Sequence, residues 1–203
     1  MSNGKLNEDL SLEALRNGDR NEFARLVERH DAYIYRLALR ILGNQQDAED
    51  VLQETFIKAL KHIHEFDGRS SLSTWLYRIA TNEALMILRK EKGNTFSLDI
   101  PDEHDNEEQE PLQIVDWCCL PEETLMSTEA KAYLEKAIAS LPPSLRVVVV
   151  LRDLQGMSTR ETSEALNLSE MAVKTRLSRA RLQLRQSLSA YFSQQFGLEN
   201  LAQ

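Results

Sequence analysis

The sequence has 203 residues, of which 42% are hydrophobic and 28% are charged, with a net charge of −8. The sequence also has few aromatic residues and few glycines. This composition favours an all-α globular protein, and the length allows one or two domains. No apolar run approaches the ~18–20 residues of a membrane span and the N-terminus is too polar for a signal peptide, so we expect a cytoplasmic protein without membrane insertion.

The negative charge is concentrated in one segment. Eleven acidic residues and no Lys or Arg lie between Gly93 and Ala130. The rest of the chain therefore carries a net charge of +3, and the acidic total does not exclude a nucleic-acid partner, since the local sign of a surface decides what it binds. Prolines and weak periodicity in this segment predict a linker at 93–120, between a domain at 7–92 and a second domain at 121–190.

Hydrophobic residues recur at helical spacing four times in the first domain. The predicted helices lie at 7–16, 19–42, 45–62 and 73–90. We expect Asp19 to begin the second helix and Gly43 to end it. Leu60 is expected to be buried in the third, and Ser73 to cap the fourth. This domain is thus predicted to be a compact helical unit.

The second domain is also predicted to contain four helices. The first runs to about Ser140, and the second spans 144–154, because its apolar residues keep a helical period although the run Val147–Val150 alone suggests a strand. Ser158 with Glu161 three residues later predicts a capping box that opens the third helix. Ser169 can cap the fourth after a short turn.

The last helix is basic and amphipathic. Val173, Leu177, Ala180 and Leu184 form one apolar stripe, the other faces are cationic, and no acidic residue lies between 171 and 188. Two helices joined by a short turn, the second of them basic, are typical of a DNA-binding helix-turn-helix. An ordinary surface helix with solvated arginines is the alternative.

Three segments, which follow one another in the order typical of the family, resemble the extracytoplasmic-function sigma factors of the sigma-70 family. They are DAEDVLQETFIKAL (47–60), FDGRSSLSTWLYRIATNEALMILRK (66–90) and LPPSLRVVVVLRDLQGMSTRETSEALNLSEMAVKTRLSRARLQLRQSL (141–188). The resemblance implies an RNA polymerase sigma factor that directs promoter recognition and transcription initiation. Its implied partners are core RNA polymerase and promoter DNA, and an anti-sigma factor is a further partner that the family suggests.

The resemblance also assigns residues to three surfaces. Core polymerase would be bound by Asp50, Gln53 and Glu54, two of which share a helix face because they lie four residues apart. The −10 element would be bound by Phe66, Asp67, Ser70, Ser71, Arg78, Asn82, Arg89 and Lys90. The −35 element would be bound by Thr159, Arg160, Lys174, Arg176, Arg179 and Arg181. Of these, we expect Lys174 and Arg176 to contact bases or their flanking phosphates, and Arg179 and Arg181 to hold the DNA backbone.

Several alternatives remain at this point. Trp75 is either a core residue or a stacking platform for a base, and Thr162, where the family usually has isoleucine, predicts looser packing. Cys118 and Cys119 lack the spacing of a metal site, and no catalytic or cofactor motif is present, so no enzyme activity, no cofactor and no metal are expected. The rival function is a stand-alone helix-turn-helix regulator with an N-terminal ligand-binding or dimerisation domain.

Overall fold

The computed structural model describes residues 10–91 and 128–196, and the regular structure within these two ranges is helical. The first range contains α1 (Leu12–Arg16), α2 (Arg20–Leu42), α3 (Gln45–His62), a 3-10 turn (Ile63–Glu65) and α4 (Leu72–Glu91). The second contains α5 (Thr128–Ser140), α6 (Pro143–Val149), a π-helical turn (Val150–Leu154), α7 (Thr159–Leu166) and α8 (Glu170–Phe196). The all-α prediction is confirmed, while the predicted linker at 93–120 lies outside the described residues.

The ends of α2 show why the helix boundaries were predictable. The Asp19 carboxylate accepts hydrogen bonds from the backbone N–H groups of Asn21 (2.8 Å) and Glu22 (3.0 Å), which otherwise lack partners at a helix start. Gly43 ends the helix in the left-handed conformation (φ 76°), and its N–H donates to the Leu39 carbonyl. Both features are local, so the chain specifies them without tertiary information.

The first domain is a three-helix bundle of α2, α3 and α4 around a core that includes Leu26, Ile34 and Leu76. Three local predictions are wrong. The first helix begins at Leu12, after the cap Ser11, and not at residue 7. Leu60 is 53% exposed, because it lies on the outer side of α3 rather than against the bundle. The cap of α4 is Ser71 and not Ser73, since the Ser71 hydroxyl accepts the backbone N–H of Thr74 at 3.0 Å.

The valine run of the second domain is helical, as predicted from its period. It lies in α6 and the first residue of the π-helical turn, where Val147, Val148 and Val150 are fully buried. The turn is wider than an α-helix because the Gln155 N–H bonds the Val150 carbonyl, five residues back, at 3.0 Å. Burial on most sides explains why this segment lacks a polar face.

The helix-turn-helix is confirmed in α7 and α8. Ser158 and Glu161 form the predicted capping box, with the Glu161 N–H donating to the Ser158 hydroxyl at 3.1 Å. Asn167 turns the chain in the left-handed conformation (φ 54°), and the Ser169 hydroxyl accepts the Ala172 N–H at 3.1 Å. These caps set a short turn, so α8 packs directly against α7.

The two domains are in contact. Helix α4 packs against α7, and α2 packs against α5, α6 and the π-helical turn. Beside these contacts the Arg40 Nε donates to both carboxylate oxygens of Glu135, each at 3.1 Å. One helical face of each domain therefore covers part of the other.

Candidate protein- and nucleic-acid-binding surfaces

One exposed stripe runs along α3 and contains the three residues predicted to bind polymerase. Asp50 and Gln53 are exposed, whereas Glu54 is half-buried with one oxygen 3.7 Å from Lys58 Nζ. Lys58 bonds more closely to Glu83 of α4, at 2.6 Å. The hydrogen bond that Lys58 donates to Glu83 is the main reason that the pKa of Lys58 lies above its usual value. Lys58 therefore ties α3 to α4 and neutralises Glu54 only in part.

The same stripe has an apolar end that the sequence analysis missed. Ile57 is 46% exposed and Leu60 is 53% exposed. They follow Asp50 by seven and ten residues, which is the spacing of one helix face. That spacing could have revealed them, but it competed with the assumption that apolar residues in α3 face the core. We call the set Asp50, Gln53, Glu54, Ile57 and Leu60 the α3 stripe.

The aromatic residues of the predicted −10 site, in the loop before α4 and in α4 itself, are packed against each other and are not open on both faces. Phe66 is 6% exposed, and its ring packs against Trp75 with centroids 5.3 Å apart. The Phe66 carbonyl accepts a hydrogen bond from Arg16 Nε at 3.0 Å, which anchors the loop to α1. Trp75 is half-buried, so it packs on the core and keeps an open edge. Phe66 is thus part of the loop's support.

Polar residues of the predicted −10 site lie on the open side of the same loop and along α4. Asp67 and Asn82 are exposed, Ser70 and Arg78 are half-buried, and Ser71 caps α4. Arg89 and Lys90 are exposed in the last turn of α4. The structure therefore places these residues along one helix and the loop that precedes it.

Part of α4 already contacts acidic residues of α7. The Thr74 hydroxyl donates to Glu161 Oε1 at 3.2 Å, and Arg78 lies 3.4 Å from Glu164 Oε2. Burial alone would raise the pKa of Glu161, but hydrogen bonds from Ser158 and Thr74, with the charge of Arg78, hold that pKa below its usual value. Glu161 is consequently a carboxylate at neutral pH. Glu164 is also 3.1 Å from Arg160, a predicted −35 residue.

The exposed side chains at the start of α8 are Glu170, Met171, Lys174 and Ser178. Met171 is 69% exposed, more than any other large hydrophobic residue in the described ranges, and sequence analysis did not single it out. The sequence contained a signal for it, because Met171 is an apolar residue that lies off the apolar stripe of a basic helix. The structure thus adds an apolar side chain to the predicted −35 surface.

The predicted arginines of α8 differ in their surroundings. Arg176 and Arg179 are half-buried. Arg181 is held by Asp153 through two hydrogen bonds, from Nε at 3.0 Å and from an Nη at 2.7 Å. The hydrogen bond to Asp153 raises the pKa of Arg181 above its usual value. Thr159 is half-buried and Arg160 exposed at the start of α7.

The described ranges contain no group of three or more His, Cys, Asp or Glu residues arranged to hold a metal ion. His62 lies 3.2 Å from Glu65 as an exposed pair, while Cys118 and Cys119 lie outside these ranges. Among the described helices, none combines the length and apolar character needed to cross a bilayer.

Comparisons with known proteins agree with this architecture. Residues 26–93 match the Sigma-70 region 2 family, and residues 131–184 match the Sigma-70 region 4 family. The chain is 38% identical over 177 residues to the ECF RNA polymerase sigma factor SigW of Bacillus subtilis (strain 168), covering 87% of this chain and 94% of that one.

Two solved structures share the fold. CnrH, solved in complex with the cytosolic domain of CnrY, matches with a TM-score of 0.58 and 25% identity over 88% of this chain and 95% of that one. RpoE, solved with the anti-sigma factor NepR from Bartonella quintana, matches with a TM-score of 0.58 and 21% identity over 83% of this chain and 98% of that one.

Regions 2 and 4 in this order define a transcription initiation factor of the sigma-70 family. Within that family the chain belongs to the extracytoplasmic-function (ECF) RNA polymerase sigma factors. The resemblance stated from the sequence is confirmed, and the stand-alone regulator is not favoured.

Proposed function

We propose that this sigma factor docks on core RNA polymerase through the α3 stripe and reads the −10 and −35 promoter elements with α4 and α8. The observation that carries the proposal is the exposed α3 stripe, which lies on a different helix from the basic residues of α4 and α8. The residues proposed to bind polymerase are therefore different from those proposed to bind DNA. We further propose that the protein acts in the cytoplasm and has no catalytic activity, with RNA synthesis left to the polymerase.

The α3 stripe suits a protein partner because it combines two kinds of contact. Asp50 and Gln53 are exposed groups that can accept hydrogen bonds from arginines of a partner. Ile57 and Leu60 supply an apolar patch one to two turns further along the helix. Interfaces commonly place apolar anchors beside such polar contacts. Glu54, half-buried beside Lys58, would contribute charge between the two.

The α4 surface suits an opened duplex. A base that leaves the stack needs polar groups and an aromatic edge to receive it, and the separated strands need cations along their backbone. Asp67, Ser70, Ser71 and Asn82 are the proposed polar contacts, with Phe66 holding Trp75 in place. Arg78, Arg89 and Lys90 are the proposed backbone contacts.

The start of α8 suits duplex DNA, because the N-terminal residues of a recognition helix reach the base edges. We assign Lys174 and Arg176 to guanine or adjacent phosphate, and Met171 to the methyl group of a thymine. Arg179 and Arg181 are assigned to the DNA backbone, and Thr159 and Arg160 to phosphate at the start of α7. An anti-sigma factor, as in the RpoE complex, is a further proposed partner.

Run-off transcription tests the function directly. Purified core polymerase is incubated with a pool of promoters, with and without the protein. Transcripts that appear only when the protein is present support the proposal and reveal the promoter motif. Absence of both new transcripts and co-elution with core would contradict it.

A pair of variants tests the α3 stripe. We expect Glu54→Lys and Leu60→Asp to abolish co-elution with core while leaving binding to an isolated −35 duplex unchanged. Glu28→Lys, at an exposed position of α2, makes the same charge change as Glu54→Lys and serves as the control. Equal loss of core binding in the control, or loss of −35 binding in the stripe variants, would contradict the assignment.

A further inference from the structure

The loop that precedes α4 is held by the short helix α1, which lies before the residues that match region 2. Arg16 of α1 donates from Nε to the Phe66 carbonyl at 3.0 Å, and one of its Nη atoms donates to the same oxygen. The two residues are 50 positions apart in the chain. A guanidinium presents its donors in a fixed planar fork, so two donors on one oxygen define the position of that carbonyl closely.

A second side chain of α1 lies against the same loop. Gly68 adopts the left-handed conformation (φ 79°), and a Cβ atom placed on it would lie 3.9 Å from Leu12 Cδ2. Leu12 itself packs against the hydrophobic core. Helix α1 therefore reaches the loop at two points, through a polar contact at Phe66 and an apolar contact at Gly68.

Helix α1 is fixed in place without help from the loop. A helix of five residues is too short to be stable alone, so tertiary contacts decide its position. Leu15 is buried in the core with 1% of its surface exposed, and the Ser11 backbone N–H donates to Glu22 Oε1 of α2 at 2.6 Å. Arg25 donates to the other carboxylate oxygen of Glu22 at 2.7 Å. The helix is thus a support attached to α2, from which its side chains reach the loop.

The position of Phe66 matters because the loop carries proposed polar contacts of the −10 site. Asp67 and Ser70 follow Phe66 within four residues, and the Phe66 ring packs on Trp75 with centroids 5.3 Å apart. A displacement of about 1 Å is enough to weaken a site that must receive a ligand in one orientation. Moving the Phe66 carbonyl would displace both polar groups and uncover the Trp75 ring.

We propose that Arg16 is a positioning residue of the −10 site, which holds the Phe66 carbonyl and through it the loop that receives an unpaired base. This inference rests on the proposed function. Arg16 is exposed on α1 and acts through the loop, not on the DNA. Helix α1 is thereby a part of the promoter-reading surface, although it contributes no base contact of its own.

Fluorescence of Trp75 tests the effect on the loop without DNA. All proteins carry Trp117→Phe, which leaves Trp75 as the single tryptophan. Arg16→Met removes the donors, Arg16→Lys keeps one charged donor, and Arg20→Met is the matched control at an exposed position of α2. We expect acrylamide to quench Arg16→Met about twofold more strongly than wild type, because losing the hydrogen bonds populates an opened loop. Arg16→Lys should be intermediate and Arg20→Met unchanged, with circular dichroism confirming that each variant is folded.

Base discrimination tests the consequence for promoter reading. Holoenzymes are compared on the promoter recovered by run-off transcription and on versions in which each −10 base pair is replaced in turn. Ser70→Ala identifies the position read by the loop, and Asn82→Ala identifies the position read by α4. Arg16→Met should lose about fivefold of discrimination at the loop position alone, since a hydrogen bond from a charged donor alters an equilibrium by about this factor. Arg16→Lys should recover part of the loss.

Unchanged quenching in Arg16→Met, or the same increase in Arg20→Met, would overturn the proposal. Stronger quenching with unchanged discrimination would overturn the positioning role, as would an equal loss at the positions read by α4 and α8, or no recovery in Arg16→Lys. If the wild type does not initiate with core, the proposed function fails, while quenching of Trp75 still decides whether α1 fixes the loop.

Discussion

The two helices proposed to read DNA, α4 and α8, carry similar basic residues but offer them differently. On α4, Arg78 lies 3.4 Å from Glu164 of the other domain. On α8, Arg181 is held within its own domain by two hydrogen bonds to Asp153, whereas Lys174 is exposed. A count of cations therefore overstates the charge that each helix presents, because acidic neighbours from distant parts of the chain determine which cations remain available.

The domains also differ in the polar groups that they bury. His30 of α2 and the Thr162 hydroxyl of α7 are fully buried, and neither has a hydrogen-bond partner among the described residues. Each such group reduces stability, because it has lost its hydration without compensation. Of these two groups only His30 can bind a proton, so acid should act on the first domain.

The largest effect is expected at the exposed cation of α8. Lys174→Ala should weaken binding to the −35 duplex by about 1–3 kcal/mol and reduce the slope of log affinity against log salt by about one phosphate contact. Fluorescence anisotropy over a salt series measures both. Lys131→Ala, at an exposed lysine on α5, should leave both values unchanged. An equal loss of affinity in Lys131→Ala would contradict the prediction, because it would show that the effect is not specific to the α8 surface.

His30 should make the first domain sensitive to acid. Burial, with a smaller contribution from Arg29, lowers the pKa of His30 below its ordinary value of 6.5. Above pH 6.5 the group is neutral in both folded and unfolded chains, whereas below that value the unfolded chain binds a proton that the folded chain does not. The free energy of unfolding should therefore fall by up to about 1.4 kcal/mol per pH unit between pH 6.5 and the folded pKa.

Urea unfolding between pH 7.5 and 5.5 measures this loss. His30→Leu should flatten the pH dependence, while a variant at Thr162 should retain it. The same slope in wild type and His30→Leu would assign the acid sensitivity to other groups.

Thr162→Val should stabilise the second domain by about 1 kcal/mol, because it removes an unpaired buried hydroxyl while keeping the side-chain shape. Thermal unfolding monitored by circular dichroism measures the change. We expect no effect on −35 binding, since the side chain does not reach the surface. Destabilisation would indicate a hydroxyl partner that becomes available in solution.

The smallest effect is expected from releasing Arg181. Asp153→Asn removes an acidic partner that competes with phosphate for Arg181, so nonspecific DNA binding should tighten about twofold at low salt. Anisotropy on a duplex without a −35 element measures it. Unchanged binding would mean that Arg181 already reaches phosphate while it is paired with Asp153.

Much of the fold was predictable from the sequence because its signals are local. Asp19, Gly43, Ser158 and Ser169 end or begin helices through bonds to residues at most four positions away, and a sequence pattern contains all of that information. The cap of α4 was predicted two residues too late, at Ser73 instead of Ser71, because serine is a favourable cap at either position. Leu60 was placed in the core because its apolar side chain was expected to face the bundle, whereas it lies on the outer side of α3.

The sequence by itself determined the all-α class, most helix boundaries, the basic recognition helix and the family. Tertiary structure alone decided which side chains are available to partners. The Arg78–Glu164 and Arg181–Asp153 pairs join residues 86 and 28 positions apart, and Phe66 is withdrawn against Trp75 by the packing of its loop. The physical reason is that availability depends on long-range burial and charge pairing, and no local spacing rule encodes either of these.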